Sequence, residues 1–372
     1  MSEDPFKDEE PVEGEIRVSC PGKVLLIGGY TVLRSSPSLS LSLTSRFHVR
    51  LLPSPSPTLT IHSPQYLSTH TYTLTGTLLS SQTVSHGSTP HPNPYLTTPL
   101  QTALHHLPPL TSGFNLTLSA SPTFYTSDST FTSFPIIPSS STPTGFDLKT
   151  TKTGLGSSAC LITSLITSII LYYSPKTSVA EIETLSQTAH NLVQGKVGSG
   201  FDVSTAVYGS QIYTQNLGSR IVDKINIKRG RLLLGDVKEG SESGGMSKRV
   251  LKGSEDGEGE ILFRKLKEVN EKAIEGYVKG ERFGEGVRSA IQSLGTITNC
   301  EIEPSVRKNV LDETENIEGV EYACVPGAGG FDAICCVVRE EAVDEVKEVW
   351  RKEGIDILDV QEDGEGIRIE RF

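Results

Sequence analysis

The segment TGLGSSA at 153–159 is followed directly by the apolar run CLITSLITSIILYY at 160–173. The run carries Thr163, Ser164, Thr167 and Ser168 and falls short of the ~18 uninterrupted apolar residues of a membrane span, so it predicts a buried helix. Two glycines and two serines at the start of such a helix can bind phosphates through backbone N–H groups and the positive helix end. The same pattern also occurs in a plain capped turn, and no Gly-Lys-Ser/Thr closes it as in a Walker A loop.

The composition limits the classes of protein that the chain can belong to. A length of 372 residues allows two domains with separate cores. The net charge of −11 argues against a nucleic-acid or acidic-membrane partner, although an anionic substrate can still be held by a few local cations. Six cysteines without a C-x-x-C spacing indicate small buried side chains in a reducing compartment. With an acidic N-terminus that lacks an apolar signal, we expect a cytoplasmic protein.

The stretch 51–146 is rich in Ser, Thr and Pro, and its only charged side chain is Asp128. This composition predicts an insert of variable strands and loops, partly disordered, rather than a histidine metal site. Within it, the alternation at 59–76 predicts two edge strands. We predict an acidic tail at 1–14, an N-terminal domain at 15–220 that contains the insert, and a C-terminal domain at 221–372.

The second half of the chain alternates strand-like and helix-like patterns, which favours an α+β fold. Strands are predicted in 221–237 and before a glycine turn in 319–338, and the apolar segment after that turn is a strand or a helix. Helices are predicted at 260–280, 284–297 and 340–354, where apolar residues recur at helical spacing. The intervening segment GGMSKRVLKGSEDGEGE, residues 244–260, is predicted to be an exposed loop.

Three further segments carry candidate site residues. In IRVSCPGKVLLIGGYTVL (16–33), a Pro-Gly turn is predicted between two strands, and Lys23 at the strand rim can be solvated or can point into a cleft. In QGKVGSGFDVSTAVYG (194–209), glycines allow close approach to a ligand, and Asp202 can act there or simply cap the next element. In CVPGAGGFDAICC (324–336), the glycines favour a ligand-facing loop over a plain hairpin.

Taken in this order, the segments resemble the GHMP kinases. PGKVLLIGGYTVL resembles the first motif of that superfamily, TGLGSSA its ATP-phosphate motif and VPGAGGFDAI its third motif. The wording of KTGLGSSA, AHNLVQGKVGSGFDVSTAVYGS and LLLGDVKEGSES is similar to the eukaryotic phosphomevalonate kinase family, and GGY at 28–30 stands where many relatives have Gly-Glu-His. The resemblance runs from 16 to about 338, interrupted by the Ser/Thr-rich stretch.

The resemblance implies a two-domain α+β GHMP kinase fold, with a ribosomal protein S5 domain 2-like N-terminal domain, a ferredoxin-like C-terminal domain and the active site between them. It implies ATP and Mg²⁺ as cofactors and (R)-5-phosphomevalonate as the small-molecule acceptor, in isoprenoid synthesis. We expect a monomer or homodimer. The rival hypotheses are another GHMP kinase, such as mevalonate kinase, and a catalytically silent ligand-sensing relative.

The resemblance also implies residue roles, motif by motif. Lys23 and Asp202 match the catalytic pair, and Ser158 the Mg²⁺ contact. The residues matched to ATP binding are Gly154, Leu155, Gly156, Ser157, Ser158, Ala159, Gly327, Gly329 and Gly330. The residues expected to bind the second substrate are Tyr30, Lys196, Ser199, Ser241, Ser243 and Arg288.

One position departs from the family pattern. His190 stands near the place where mevalonate kinase has a metal-binding glutamate, so Ser158, ATP oxygens and water are expected to provide most of the Mg²⁺ coordination. A phosphomonoester acceptor has a second pKa near ~6 and is already an anionic nucleophile at neutral pH. The main barrier is then charge repulsion, and we expect Lys23 to matter more to the rate than Asp202.

Overall fold

The computed structural model describes residues 4–63, 68–75, 78–85, 93–126, 151–216, 219–225, 229–237, 243–331 and 333–372. Within these ranges the chain forms a nine-stranded sheet, a four-stranded sheet and a short two-stranded pair. The strands are β1 (Ile16–Ile27), β2 (Ser38–Ser54), β3 (Thr58–Ser63), β4 (Ser68–Thr75), β5 (Leu78–Ser85), β6 (Gly113–Ala120), β7 (Tyr125–Thr126), β8 (Thr151–Lys152), β9 (Gln211–Asn216), β10 (Ser219–Lys224), β11 (Arg231–Asp236), β12 (Val320–Cys324), β13 (Ala333–Val338), β14 (Asp356–Ile357) and β15 (Arg368–Arg371). The helices are α1 (Pro94–His106), α2 (Ser157–Tyr173), α3 (Val179–Gln194), α4 (Phe201–Tyr208), α5 (Ser243–Gly253), α6 (Gly257–Lys279), α7 (Val287–Ile297), α8 (Ser305–Glu315) and α9 (Val343–Lys352).

The large sheet has the order β10-β9-β2-β6-β3-β4-β5, and β1 pairs with both β2 and β15. The predicted Pro-Gly turn in 16–33 is wrong, because β1 runs continuously beside β2 through this point. The register between the two strands shifts between Pro21 and Lys23. A proline cannot donate to the ladder and is tolerated at such an irregularity. Lys23 follows this shift directly and lies opposite Ser42 of β2.

Most described strands of the Ser/Thr-rich stretch belong to the large sheet, while α1 packs on α2 and α3 and β7 pairs with β8. The two strands predicted in 59–76 are confirmed as β3 and β4, but neither lies at the edge, since β3 lies between β6 and β4, and β5 follows β4. Leu59, Ile61, Phe114 and Leu116 are almost fully buried in the core. A stretch almost without charge can be buried in this way at little desolvation cost, so its apolar residues complete the core rather than form a loose insert.

The apolar helix α2 lies at the centre of the first core. It packs against α1, α3, β1 and β2, and Ile162, Leu165, Ile166 and Ile169 have no measurable exposure. Three of its buried hydroxyls donate to helix carbonyls, Ser164 to Leu161 at 3.0 Å, Thr167 to Thr163 at 2.7 Å and Ser168 to Leu165 at 2.9 Å. The N-terminus of α2 is thereby held rigidly at the cleft described below.

The four-stranded sheet has the order β12-β13-β11-β14 and two apolar faces. Leu233, Ile334 and Cys336 face one way, into a cluster with Trp350 of α9. The intervening side chains of the same strands, such as Leu232, Leu234 and Cys335, face the core that the large sheet shares with α6. Side chains alternate between the two faces of each strand, so one face of the four-stranded sheet packs into the same core as the large sheet.

The helices predicted at 260–280, 284–297 and 340–354 are confirmed as α6, α7 and α9. The exposed loop predicted at 244–260 is wrong, because α5 covers most of it and α6 begins at Gly257. Met246 and Val250, one helical turn apart, are buried in a cluster with Tyr30 and Phe263. This tertiary burial outweighs the poor helix propensity of the glycine-rich start of the segment.

Both ends of the described chain return to the large sheet. β15 pairs with β1, with Arg371 opposite Ile16. The predicted domain boundary at 220 falls inside β10. The division of the chain into two domains at 220 stays a prediction. The described part of the predicted acidic tail packs on β1, where Arg17 donates to the Phe6 carbonyl at 2.6 Å. Within the described ranges, no helix combines the length and apolar character required to cross a bilayer.

Candidate active site

A cavity of about 480 Å³ brings the predicted motifs together. Its walls come from β1 at Lys23–Leu25, from Thr153–Leu155 before α2, from Lys196–Asp202 between α3 and α4, and from Val325–Gly329 between β12 and β13. Residues of α5, among them Lys248, form a further part of the wall. Segments that are distant in sequence thus meet at one concave site, as expected for a ligand site.

The TGLGSSA segment forms the mouth of α2, as predicted. Gly156 is the N-cap residue with φ of 82°, a left-handed conformation that favours glycine. A Cβ at this position would lie 3.1 Å from both Cγ and Cε of Lys23. Glycine therefore lets the lysine side chain pass the helix end, and the first N–H groups of α2 can face an anion beside it.

Lys23 is fixed by its backbone and by its ammonium. Its N–H donates to the Leu155 carbonyl, and its Nζ donates to the Gly154 carbonyl, both at 2.9 Å. Nζ also lies 5.4 Å from the centre of the Phe201 ring. Burial in the cleft lowers the pKa of Lys23, and the Asp202 carboxylate opposes that shift. The lysine thus supplies a held positive charge at the mouth of α2.

Asp202 lies in the first turn of α4, beside a buried histidine of α3. Its Oδ1 accepts from the Val203 N–H at 2.9 Å, and its Oδ2 lies 3.8 Å from Nε2 of His190. The same Nε2 lies 3.2 Å from Oγ of Ser158 and 2.9 Å from Nε2 of Gln194. The imidazole therefore stands between the predicted Mg²⁺ contact and the predicted catalytic carboxylate.

The donor atoms near His190 fit a magnesium ion that arrives with a nucleotide. Ser158 and Asp202 offer hydroxyl and carboxylate oxygens, the hard ligands that Mg²⁺ prefers, and the ion commonly completes its shell with phosphate oxygens and water. In the described part of the chain, no three His, Cys, Asp or Glu side chains cluster as a metal cage. Ser158 and Asp202 are thus the residues that could hold the ion.

The glycine loop between β12 and β13 is clamped against the segment after β1. The Gly327 N–H donates to the Leu25 carbonyl at 3.0 Å, and the hydroxyl of Tyr30 donates to the Ala328 carbonyl. A Cβ on Gly29 would lie 2.3 Å from the Gly327 oxygen, so only glycine permits this approach. Burial raises the pKa of Tyr30, which keeps its hydroxyl a donor.

The predicted site residues fall into three groups. Those that line the cavity are Lys23, Tyr30, Gly154, Leu155, Lys196, Ser199, Asp202, Gly327 and Gly329. Those in the helix mouth or loop directly behind the lining are Gly156, Ser157, Ser158, Ala159 and Gly330. Ser241 lies outside the described residues, and Ser243 begins α5 with a side chain that is likewise outside the description.

Among the predicted substrate contacts whose side chains the structure describes, Arg288 is the one that does not line the cavity. Its guanidinium is nearly buried in α7 and pairs with Glu303 at 2.6 Å, Asp312 at 2.9 Å and Glu315 at 2.5 Å. Burial by itself lowers the pKa of Arg288, but these carboxylates outweigh it and raise the pKa. Arg288 is thus engaged within its own helix layer and does not line the cavity. The sequence pattern VRSAI showed a cation on a helix but not the carboxylates that engage it.

Sequence analysis missed the contribution of α5 to the wall. Ser247, Lys248 and Leu251 line the cavity, yet the segment was predicted to be a loop. The spacing of Met246 and Val250 is the signal that could have identified the helix, because residues four apart share one helical face.

Comparison with known proteins places this site in a family. Residues 137–210 match the model of the GHMP kinases N terminal domain. A phosphomevalonate kinase of the fungus Gibberella zeae is 30% identical over 437 aligned positions, which cover 95% of this chain and 96% of that enzyme. The chain belongs to the phosphomevalonate kinase family. The family resemblance seen in the sequence motifs is thereby confirmed over nearly the whole chain.

Solved structures agree on the fold of this family member. A mevalonate kinase of Methanococcus jannaschii matches with a TM-score of 0.69 at 18% identity, covering 93% of this chain and 98% of that one. A phosphomevalonate kinase of Streptococcus pneumoniae matches with a TM-score of 0.65 at 16% identity, covering 94% and 99%. The predicted GHMP kinase fold is confirmed. At these identities the likeness concerns the fold and does not separate one acceptor from the other.

Proposed function

We propose that this chain is a phosphomevalonate kinase that transfers the γ-phosphoryl group of ATP to the phosphate of (R)-5-phosphomevalonate. The products are ADP and (R)-5-diphosphomevalonate. The fungal relative that covers nearly the whole chain bears this activity in its name.

The observation that carries the proposal is the charge of the cavity. The whole chain has a net charge of −11, yet the described residues that line the cavity include the three lysines Lys23, Lys196 and Lys248 and the single carboxylate Asp202. A site with three lysines and one carboxylate, in a protein that is acidic as a whole, suits two polyanionic ligands at once. ATP and a phosphorylated acceptor are such a pair.

The chemistry follows from the state of the acceptor. At neutral pH an oxygen of its phosphate is already anionic, so it can attack the γ-phosphorus while the bond to the β–γ bridging oxygen breaks, and no proton has to be removed first. The mouth of α2 and the ammonium of Lys23 would hold the transferring group and offset the repulsion between the two anions. Asp202 then has no acceptor proton to take.

Ser158 and Asp202 would hold Mg²⁺ together with ATP oxygens. The bound ion would neutralise charge on the transferring phosphoryl group. His190 would fix the orientation of the Ser158 hydroxyl through the 3.2 Å contact. The imidazole thereby lies between Ser158 and Asp202, the two side chains that would hold the ion.

The cysteines support a reducing compartment. All six are free and buried, and burial raises the pKa of the Cys20 thiol to about 12. Thiols of this kind are structural rather than reactive, and we propose a cytoplasmic setting for the enzyme.

A coupled assay of ADP release tests the proposed function. Mevalonate and phosphomevalonate are offered side by side with ATP and Mg²⁺. We expect turnover with phosphomevalonate and at most about 1% of that kcat/KM with mevalonate, since a site built for a phosphate leaves its cations unpaired without one. Turnover of mevalonate alone would favour a mevalonate kinase, and turnover of neither would favour a silent ligand-binding relative.

A further inference from the structure

Helix α5 is fixed to the segment that follows β1. Arg34 donates to the carbonyl of Leu251 at 2.8 Å and to that of Ser254 at 3.0 Å, at the carboxyl end of the helix. The guanidinium carbon also lies 4.2 Å from the centre of the Phe263 ring. A cation at a helix C-terminus is favoured by the helix dipole as well as by these hydrogen bonds. The position of α5 over the cavity is therefore set by a specific clamp.

This clamp places Lys248 at the cavity wall. Lys248 and Lys196 both line the cavity, from α5 and from the loop between α3 and α4, and both are exposed. Within the described part of the chain, neither ammonium is paired with a carboxylate. By contrast, Lys279 and Lys308 on other helices each pair with a carboxylate four residues away, at 2.5 and 2.7 Å. The two cavity lysines are thus left available to an anion.

The surroundings of Lys248 suit the acceptor rather than the nucleotide. The phosphates of ATP have their own partners in the mouth of α2 and in Lys23, which is bonded to Gly154 of that mouth. Val32, Leu33 and Leu251 line the cavity with Lys248 and offer an apolar wall. A short hydrocarbon acid that carries a phosphate would find both an apolar surface and cations here.

We infer that Lys248, together with Lys196, binds the phosphate of the acceptor and so determines the preference of the site for a phosphorylated over an unphosphorylated acceptor. The inference rests on the proposed function and adds a residue that no sequence motif indicated. An ammonium is a compact point charge, which can follow the phosphate as it becomes a diphosphate.

The test compares Lys248→Met with Lys252→Met. Both lysines are exposed on α5, but Lys252 does not line the cavity, so Lys252→Met is the matched control. Methionine keeps the apolar stem and removes only the charge. We expect Lys248→Met to raise the KM for phosphomevalonate about 10- to 100-fold, the usual effect of losing a charged hydrogen bond, with the KM for ATP within twofold. Lys248→Arg should recover part of the loss, and Lys252→Met should match the wild type.

Binding without turnover gives a second readout. Calorimetric titration of phosphomevalonate in the absence of nucleotide should show the same weakening for Lys248→Met and none for Lys252→Met. If Lys248→Met proves unstable in a thermal melt, Lys248→Gln takes its place in both measurements. Equal acceptor KM and Kd for the Lys248 and Lys252 variants would overturn the inference. A wild-type enzyme that does not turn over phosphomevalonate would instead overturn the proposed function. The two results therefore distinguish failure of the inference from failure of the proposed function.

Discussion

The imidazole Nε2 of His190 lies 3.2 Å from the hydroxyl of Ser158. The two residues are on different helices, α3 and α2, and the ring is only 3% exposed. Because Asp202 approaches the same nitrogen from α4, one ring joins the two side chains whose oxygens fit a nucleotide-bound Mg²⁺. His190 therefore acts as a positioning residue for the metal side of the cleft.

Replacing that ring should weaken the response to magnesium. We expect His190→Ala to raise the Mg²⁺ concentration for half-maximal activity about 10- to 100-fold, as the loss of a residue that orients a metal ligand usually does. His190→Gln, which can keep an acceptor near the Ser158 hydroxyl, should lose less. Titrations of ATP binding with and without Mg²⁺ check the effect apart from turnover. The exposed His62 provides a control, and an equal loss in His62→Ala would remove any special role of His190.

Lys23 should matter more to the rate than Asp202. We expect Lys23→Met to lower kcat about 10²- to 10³-fold, because a held charge at the mouth of α2 is lost where negative charge is concentrated. Asp202→Asn should lower kcat by about tenfold, because an anionic acceptor needs no base. Steady-state kinetics with phosphomevalonate decide between them. The reverse order would contradict the account in which charge repulsion is the main barrier.

The contact between Gly29 and Gly327 should be intolerant of a methyl group. A Cβ on Gly29 would meet the Gly327 oxygen at 2.3 Å, so Gly29→Ala has to displace the glycine loop, and we expect the KM for ATP to rise about tenfold or more. Gly354→Ala is the control, since a Cβ there meets nothing within 4 Å although its φ of +71° is strained. Gly354→Ala should lower the free energy of unfolding but leave the KM for ATP unchanged. Matching KM values for the two variants would rule out a close-contact requirement at the loop.

His48 should make the unfolding free energy depend on pH. Burial lowers the pKa of His48 to about 4, although Asp4 opposes the shift. His48 therefore gains its proton near pH 6.5 in the unfolded chain but only near pH 4 in the folded chain. Its contribution to the free energy of unfolding is present above pH 6.5 and is lost as the pH falls toward 4. The loss is up to about 3 kcal/mol. Urea unfolding of the wild type and of His48→Gln at pH 7 and pH 4.5 checks it, and parallel losses would count against the assignment.

Local patterns predicted the elements that carry the motifs, because those signals lie within a few residues of one another. The apolar run after TGLGSSA predicted α2, and the 3.6-residue spacing at 260–280 predicted α6. The glycine segment at 324–336 likewise predicted a loop after an apolar strand, and the structure shows that the element after the loop is the strand β13. In each case, the pattern of burial repeats along the element itself.

The features that could not be predicted depend on contacts between distant segments. α5 forms because Tyr30 and Phe263 bury one of its faces and Arg34 binds its end. The carboxylates that pair with Arg288 come from residues 303–315, and the sequence VRSAI around Arg288 gives no indication of them. Sequence analysis therefore named Lys23, Lys196 and Asp202, which line the cavity, but could not show that Lys248 lines it too and that Arg288 does not.

The central claim is that the γ-phosphoryl group of ATP is placed on a phosphate oxygen of the acceptor. Phosphorus NMR of a mixture of enzyme, ATP, Mg²⁺ and phosphomevalonate measures this directly, since a new diphosphate shows two mutually coupled signals. We predict that the acceptor monophosphate signal disappears as an equal amount of a second diphosphate forms beside ADP. An unchanged monophosphate signal, or ADP and free inorganic phosphate without a second diphosphate, would contradict the account.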